Sequence, residues 1–126
     1  MPDYNAQFSS KMVKGLGDVI KQHKLAMMLF GSDNKPDNDL QFIKMLHMQR
    51  VMGIVYTPAT DYADEMGRRV KALLDESGIP VVLMDRRMYC SSYDGVFTDN
   101  VEAAYTATKA LIQAGHTRIG FVVSSL

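Results

Sequence analysis

The sequence predicts an α/β protein built on a doubly wound, mainly parallel sheet. Three observations predict this class: short apolar runs alternate with amphipathic helical segments, the runs end abruptly at turn-forming residues, and the runs lack polar alternation. Runs of that kind are typical of strands that are buried on both faces of a parallel sheet. Right-handed crossovers would then place helices on both sides of the strands.

Four helices are predicted from apolar residues that recur at helical spacing. They cover about residues 6–23, a second segment ending near Gln49, a third ending at Ser77-Gly78, and residues 100–114. Asp61 could cap the third helix. Their expected buried faces are Phe8, Met12, Leu16, Val19 and Ile20; Leu40, Ile43, Leu46 and His47; Met66, Val70, Leu73 and Leu74; and Val101, Ala104, Thr108 and Leu111.

The fourth helix carries the clearest boundary signals. Asp99 and Glu102 are spaced as a capping box at its start. Gly115 stands where a left-handed residue commonly ends a helix.

Five apolar runs are predicted as strands: residues 25–30, 51–56, 79–84, 95–98 and 118–123. A doubly wound unit normally begins with a strand, and Met1-Pro2-Asp3 reads as the end of one that is truncated. In the flavodoxin-like order 2-1-3-4-5, that first strand would lie between 25–30 and 51–56. If residue 1 is the start, we expect an open gap there, a strand borrowed from another chain, or direct pairing of the two runs.

Composition narrows the class of function. A chain of 126 residues with 47% hydrophobic residues fits one globular domain. Lys plus Arg and Asp plus Glu number 14 each, so the basic surplus of a nucleic-acid-binding module is missing. The single cysteine, Cys90, favours a reducing, cytoplasmic setting. No apolar run is long enough to span a bilayer, and no leader precedes the runs.

Catalytic and cofactor motifs are absent from the sequence. It contains no Gly-x-Gly-x-x-Gly after a strand, no P-loop and no Gly-x-Ser-x-Gly. His23, His47 and His116 fall on separate segments without metal-ligand spacing. We therefore expect no enzyme activity, no metal and no cofactor.

Polar residues cluster where the predicted strands end. Ligands of parallel α/β sheets bind beyond the carboxyl ends of the strands, and mixed carboxylates, amides and guanidinium groups suit polyhydroxylated ligands. The alternative is local: Asp99 and Asn100 could serve only as helix caps. The groups expected along this rim are 3–5, 31–33, Thr57-Pro58, 85–87, 98–100 and 124–125.

Several segments, taken together and in order, resemble the core of lactose-repressor-type (LacI/GalR) transcription regulators. The opening resembles that family's "PD-x-x-N-x-F-F" and first helix, and later segments resemble its "SD" turn, "R-V-D-G-I-I…P" strand, "GIPVV-x-IDR", "VDN" and "GH-x-R-I-G-F". The matching segments here are residues 1–15, 32–34, 50–58, 77–86, 98–100 and 115–121. Met52 stands where the family has an Asp before Gly53.

The resemblance implies that residues 1–126 are the N-terminal subdomain of an effector-binding core with the type I periplasmic-binding-protein fold. It implies a fragment of a repressor that senses a small metabolite, a sugar by expectation, and couples cleft closure to operator binding. The DNA-binding headpiece and the C-terminal subdomain would lie outside these residues. The implied effector-binding residues are Phe8, Ser9, Thr57, Asp85, Arg86, Asp99 and Asn100. Gln7-Phe8-Ser9 replaces the common Pro-Phe-Phe, which removes one aromatic platform for a sugar ring.

Two other interpretations stay open at this point. One is half of a periplasmic sugar-binding protein of the same fold, and the other is an enzyme on a doubly wound fold. The expected partners are a small-molecule effector and operator DNA through the headpiece only, with no membrane. A homodimer is expected, formed by the first two helices and the edge at residues 25–30.

Overall fold

The structure, a computed structural model, describes residues 6–60 and 62–123. That part of the chain combines helices with a parallel sheet, so the predicted mixed α/β class is confirmed. The elements are α1 (Ala6–Gln22), α2 (Pro36–Met48), β1 (Ile54–Tyr56), α3 (Glu65–Ser77), β2 (Val81–Met84), β3 (Gly95–Val96) and α4 (Asn100–Gln113).

The three strands form one parallel sheet in the order β1-β2-β3. Val55 lies beside Val82, and Met84 lies beside Val96. The predicted runs 51–56, 79–84 and 95–98 each contain one of these strands. The expected strands at 25–30 and 118–123 are wrong, because neither run pairs with the sheet in the described residues. An extended run becomes a strand only where a neighbour accepts and donates its backbone hydrogen bonds.

The core lies between one face of this sheet and the pair α2 and α3. The predicted inner faces of both helices are confirmed, except that His47 of α2 is exposed. Pro36 opens α2 at a position where its missing N–H costs nothing. The buried apolar side chains include Leu40 and Ile43 of α2, Val70 and Leu74 of α3, and Ile54, Tyr56 and Leu83 of the sheet.

Both ends of α3 are defined by local hydrogen bonds. Asp64 is the N-cap, and its carboxylate accepts from the N–H of Gly67. The predicted cap, Asp61, lies outside the described residues. Gly78 ends the helix at a φ of 64°, a left-handed value that glycine adopts without strain.

The ends of α4 follow the sequence signals closely. The carboxylate of Asp99 accepts from the N–H of Glu102 at 2.9 Å. Past the other end, Gly115 has a φ of 94°, and its N–H donates to the carbonyl of Ile112. The N–H of His116 donates to the carbonyl of Leu111 at 3.1 Å, which completes a Schellman motif.

The expected burial of α1 and α4 differs from the structure. On α1, Phe8 and Val19 are exposed, and Met12, Leu16 and Ile20 are only half-buried. On α4 the expected inner face of Val101, Ala104, Thr108 and Leu111 is wrong, because every residue from 98 to 123 is exposed. Helical spacing identifies the apolar side of a helix, but it does not supply a surface for that side to cover.

One edge of β1 is open. In the described residues β1 pairs with β2 alone, and a cavity of about 100 Å³ separates it from the extended residues 28–30 and from α1. The ring of Phe30 stacks on Phe42 of α2 at 5.0 Å, which holds the end of that extended run. The end of a truncated first strand, predicted at residues 1–3, lies outside the described residues. No helix in the described ranges is long and apolar enough to cross a bilayer.

Candidate functional site

A cavity of about 1130 Å³ lies at the carboxyl ends of β2 and β3. This is the edge of a parallel sheet where ligands of α/β proteins bind. Polar and charged side chains predominate among the residues around it. They are Asn34, Ala59, Thr60, Asp85, Arg86, Arg87, Tyr89, Gly95, Phe97, Thr98, Asp99, Asn100 and Val101.

Asp85 stands at the point where β2 becomes a loop. Its N–H donates to the carbonyl of Val96 at 3.0 Å, so the backbone is still held to β3. Its φ is 69°, a left-handed conformation that Asp adopts more readily than most side chains. The backbone of the half-buried Asp85 is therefore held at the rim of the cavity, which its side chain lines.

Arg86 joins three loops at this rim. Its guanidinium donates to the carbonyls of Pro58, at 3.2 Å, and Ala59, and lies 3.4 Å from the side-chain oxygen of Asn34. Partial burial lowers the pKa of this guanidinium, yet an arginine keeps its charge at neutral pH. Arg86 thus contributes a fixed positive charge and holds the loops after β1 and before α2 together.

Arg87 and Phe97 form a cation–π contact at the cavity. The guanidinium carbon of Arg87 lies 4.0 Å from the ring centroid of Phe97, which is cation–π distance. Phe97 also packs against the buried core. The exposed Arg87 is therefore restrained by an aromatic ring that the core itself holds in place.

Asp99 and Asn100 reach the cavity from the first residues of α4. The capping role that the sequence left open for Asp99 is present, since its carboxylate accepts from Glu102. Both residues are nevertheless exposed and line the cavity together with Asp85. A helix N-terminus also presents backbone N–H groups, which suit ligand oxygens.

The structure brings together four of the seven predicted site residues, namely Asp85, Arg86, Asp99 and Asn100. Phe8, Ser9 and Thr57 do not line this cavity. Thr57 is buried and lines the smaller gap beside β1, whereas Ser9 is buried and Phe8 exposed in α1. A ligand role for these three stays a prediction.

Sequence reasoning did not single out Asn34 and Phe97 as ligand-site residues. Asn34 lies in the turn before α2, next to Asp33, and both have a positive φ. The turn-rich composition around residue 34 was a signal that could have found it, since Asn and Asp tolerate that conformation. Phe97 carried no such signal, because a short apolar run does not show which of its residues leaves the sheet.

A buried carboxylate on α2 has a structural role. One side-chain oxygen of Asp39 accepts from the hydroxyl of Tyr56 at 2.5 Å, from the hydroxyl of Tyr62 at 2.6 Å and from the N–H of Ala59 at 2.9 Å. Burial, with Asp39 beside them, raises the pKa of both phenols well above the usual range. The cluster ties α2 to β1 and to the loop that carries Ala59 to the cavity.

Metal chemistry finds no support in the ranges described. Those residues contain no group of three or more His, Cys, Asp or Glu side chains that could hold a metal ion. The carboxylates around the cavity, Asp85 and Asp99, lie on separate segments, and the positive charges of Arg86 and Arg87 beside them oppose cation binding.

Comparison with known proteins agrees with this architecture. The model of a family described as periplasmic binding proteins and sugar-binding domain of the LacI family matches residues 1–125. Maltose regulon regulatory protein MalI of Escherichia coli K12 is 30% identical, over 95% of this chain and 34% of its own length. Catabolite control protein A of Priestia megaterium is 26% identical over 100% of this chain and 36% of its own. HTH-type transcriptional regulator RegA of Clostridium saccharobutylicum is 27% identical over 97% of this chain and 35% of its own.

These relatives are regulators, and the chain spans about a third of the length of each. The family match, by contrast, covers nearly all of the chain. The parallel sheet and its helices belong to the α/β class that the sequence motifs implied. The chain therefore belongs to the family formed by the periplasmic binding proteins and the sugar-binding domains of LacI-type transcription regulators.

Proposed function

We propose that this chain is the part of a LacI-type transcription regulator that senses a small polyhydroxylated metabolite, a sugar in the first instance. One observation carries the proposal: carboxylate, amide and guanidinium groups from three loops surround a single cavity at the carboxyl ends of β2 and β3. Such groups both donate and accept hydrogen bonds, as neighbouring sugar hydroxyls require.

The individual contacts support specific roles. Asp85 and Asp99 supply acceptors for hydroxyl protons, and Asn100 supplies both a donor and an acceptor. Arg86 is engaged by the carbonyls of Pro58 and Ala59, so its role in the proposal is to fix the rim. Phe97 adds an apolar surface beside these polar groups.

The cavity is larger than a closed binding site, which favours a ligand that is bound between this chain and a second subdomain. A cavity of about 1130 Å³ exceeds the roughly 300–1,000 Å³ of closed small-molecule sites. In the proposal a second subdomain, in the remaining two thirds of the parent protein, closes over it. That closure changes the affinity of the regulator for its operator, whereas these 126 residues, with no net charge, make no strong DNA contact.

The regulator is preferred to half of a periplasmic sugar-binding protein because the three relatives described above are regulators. Dimerisation through α1, α2 and residues 25–30 remains a prediction.

The test is an NMR titration of the ¹⁵N-labelled chain with neutral monosaccharides and disaccharides, sugar phosphates and nucleobases. We expect amide shifts at residues 85–87 and 97–100 with one of the sugars. Asp85→Asn should weaken that binding about tenfold or more, because a hydrogen bond to a charged group contributes about 1.5–3 kcal/mol. Glu76→Gln on α3 makes the same change of charge away from the cavity and should leave binding unchanged.

Two outcomes would contradict the proposal. One is the absence of shifts with every sugar at concentrations that saturate weak sites. The other is binding that Asp85→Asn and Glu76→Gln alter equally.

A further inference from the structure

The segment that follows β1 reaches the cavity at Ala59 and Thr60. This segment, residues 57–60 together with Tyr62, is called the β1 loop below. Ala59 is held on both sides of its own Cα atom: its N–H donates to the carboxylate of Asp39 at 2.9 Å, and its carbonyl accepts from the guanidinium of Arg86. A continuous chain of hydrogen bonds therefore runs from the buried interior to the rim of the cavity.

Asp39 is the inner end of this chain of hydrogen bonds. It is only 4% exposed and does not line the cavity of about 1130 Å³. Two of the three hydrogen bonds that its carboxylate accepts come from the β1 loop, one from the N–H of Ala59 and one from the hydroxyl of Tyr62. A buried carboxylate is stable only while donors surround it. The charge of Asp39 therefore favours one position of the β1 loop over others.

Tyr62 has a backbone conformation that its surroundings must maintain. Its φ is 48°, a left-handed value that is rare for a bulky side chain. The hydroxyl of Tyr62 donates to Asp39 of α2 at 2.6 Å, and its N–H donates to the hydroxyl of Thr60 at 3.2 Å. On the side of α3, a Cβ atom added to Gly67 would lie 2.5 Å from the carbonyl oxygen of Tyr62. The β1 loop is thus confined between α2 and α3, and Thr60 is held where it lines the cavity.

Arg86 is the outer end of the chain of hydrogen bonds. Its guanidinium donates to the carbonyls of Pro58 and Ala59, so its position depends on the β1 loop. A displaced loop would take both acceptors away from the guanidinium. Ala59, Thr60 and Arg86 all line the cavity, and their geometry would change together.

We propose that Asp39 is a positioning residue for the cavity: by binding the N–H of Ala59 and the hydroxyl of Tyr62, it keeps the β1 loop and the guanidinium of Arg86 in the arrangement that binds the effector. The consequence for effector affinity rests on the proposed function, whereas the consequence for Arg86 does not. The same hydrogen bonds that stabilise the fold then also determine the shape of the cavity.

The first experiment follows Arg86 in the chain without ligand. Asp39→Asn keeps the size of the side chain but replaces a charged acceptor with a neutral, weaker one. In ¹⁵N NMR spectra at low temperature and mildly acidic pH, the guanidinium signals of Arg86 should be separate in the unmodified protein and averaged in Asp39→Asn. Arg87, whose guanidinium lies on the ring of Phe97, is the reference in the same spectra and should not change.

A second variant and two controls accompany this measurement. Tyr62→Phe removes one donor of the β1 loop, keeps the aromatic ring, and should release the Arg86 signals to a smaller degree. Tyr93→Phe is the matched control, because it removes a hydroxyl that donates to Asp75 of α3, outside the cavity. Leu74→Ala is the control for stability, because it removes core packing and none of the hydrogen bonds of Asp39. Both controls should keep the Arg86 signals of the unmodified protein.

The second experiment measures the binding of D-glucose, D-galactose and D-ribose by NMR titration. For the sugar that binds the unmodified protein most tightly, the Kd should rise about tenfold in Asp39→Asn and about threefold in Tyr62→Phe, as expected for weakened hydrogen bonds. The Kd should stay unchanged in Tyr93→Phe and in Leu74→Ala.

Three results would overturn the positioning role. They are Arg86 signals that neither Asp39→Asn nor Tyr62→Phe changes, Arg86 signals that a control releases equally, and a sugar that binds Asp39→Asn as tightly as the unmodified protein. If none of the three sugars binds while Arg86 responds as expected, the result counts against the proposed function and supports the positioning of Arg86 by Asp39.

Discussion

Helices α3 and α4 are built from the same local signals, yet their surroundings are opposite. Each has an aspartate N-cap that accepts from the third residue along, and each is followed by a glycine with positive φ. On α3, Val70 and Leu74 are fully buried between the sheet and α2. On α4 no residue is buried. The comparison teaches that caps and spacing decide where a helix begins and ends, whereas a packing partner decides whether its apolar side contributes to stability.

The largest expected effect comes from removing a side chain that stabilises the core formed by α2, α3 and the sheet, which is called the packed half below. Asp39→Ala leaves two buried hydroxyls and one buried N–H without their acceptor. We expect a loss of about 4 kcal/mol in the free energy of unfolding, measured by urea denaturation. Asp37→Ala, at an exposed position of the same helical turn, is the control. Equal losses of unfolding free energy in the two variants would show that the hydrogen bonds of Asp39 do not stabilise the fold.

A smaller effect is expected from a matched pair of truncations. Leu74→Ala opens a cavity in the core and should cost about 3 kcal/mol in unfolding free energy. Ile112→Ala, on the exposed α4, should change that free energy by less than about 0.5 kcal/mol. A large effect of Ile112→Ala in dilute solution would contradict the description of α4 as unpacked.

The smallest expected difference concerns the two caps. Asp64→Ala should lower the stability of the packed half by about 1 kcal/mol, because α3 unfolds with the core. Asp99→Ala removes an equivalent cap from α4, and we expect lower helicity by circular dichroism without a shift of the cooperative transition. Asp99→Asn, which can still cap, is the control for both charge and hydrogen bonding. A transition shifted equally by Asp64→Ala and Asp99→Ala would show that the two helices unfold as one unit.

The sequence predicted the local part of this fold well. Helix α4 and its cap at Asp99, the end of α3 at Gly78, and the inner residues Val70 and Leu74 follow from hydrogen bonding and spacing within a few residues. The strand expected at 25–30 is not formed, because strand pairing requires a neighbour that a single segment cannot specify.

At the candidate site, too, the sequence predicted what depends on neighbouring paired strands better than what depends on distant packing. Asp85, Arg86, Asp99 and Asn100 meet at one cavity because the carboxyl ends of neighbouring parallel strands lie at one edge of the sheet. Phe8 and Ser9 were placed by resemblance alone, and their position relative to the cavity depends on how α1 packs. Sequence order therefore predicted the contacts made across paired strands, but not those made across an unpaired edge.

The tyrosine cluster around Asp39 has a further consequence for the behaviour of the protein in alkali. The phenols of Tyr56 and Tyr62 hold their protons in the folded chain, whereas in the unfolded chain each would release its proton near pH 10. Their contribution to stability is complete below that pH and falls as the pH rises past it. Alkaline pH therefore destabilises the packed half through the ionisation of these two hydroxyl groups. Since the chain has six tyrosines and no tryptophan, phenolate absorbance would report that opening without any added probe.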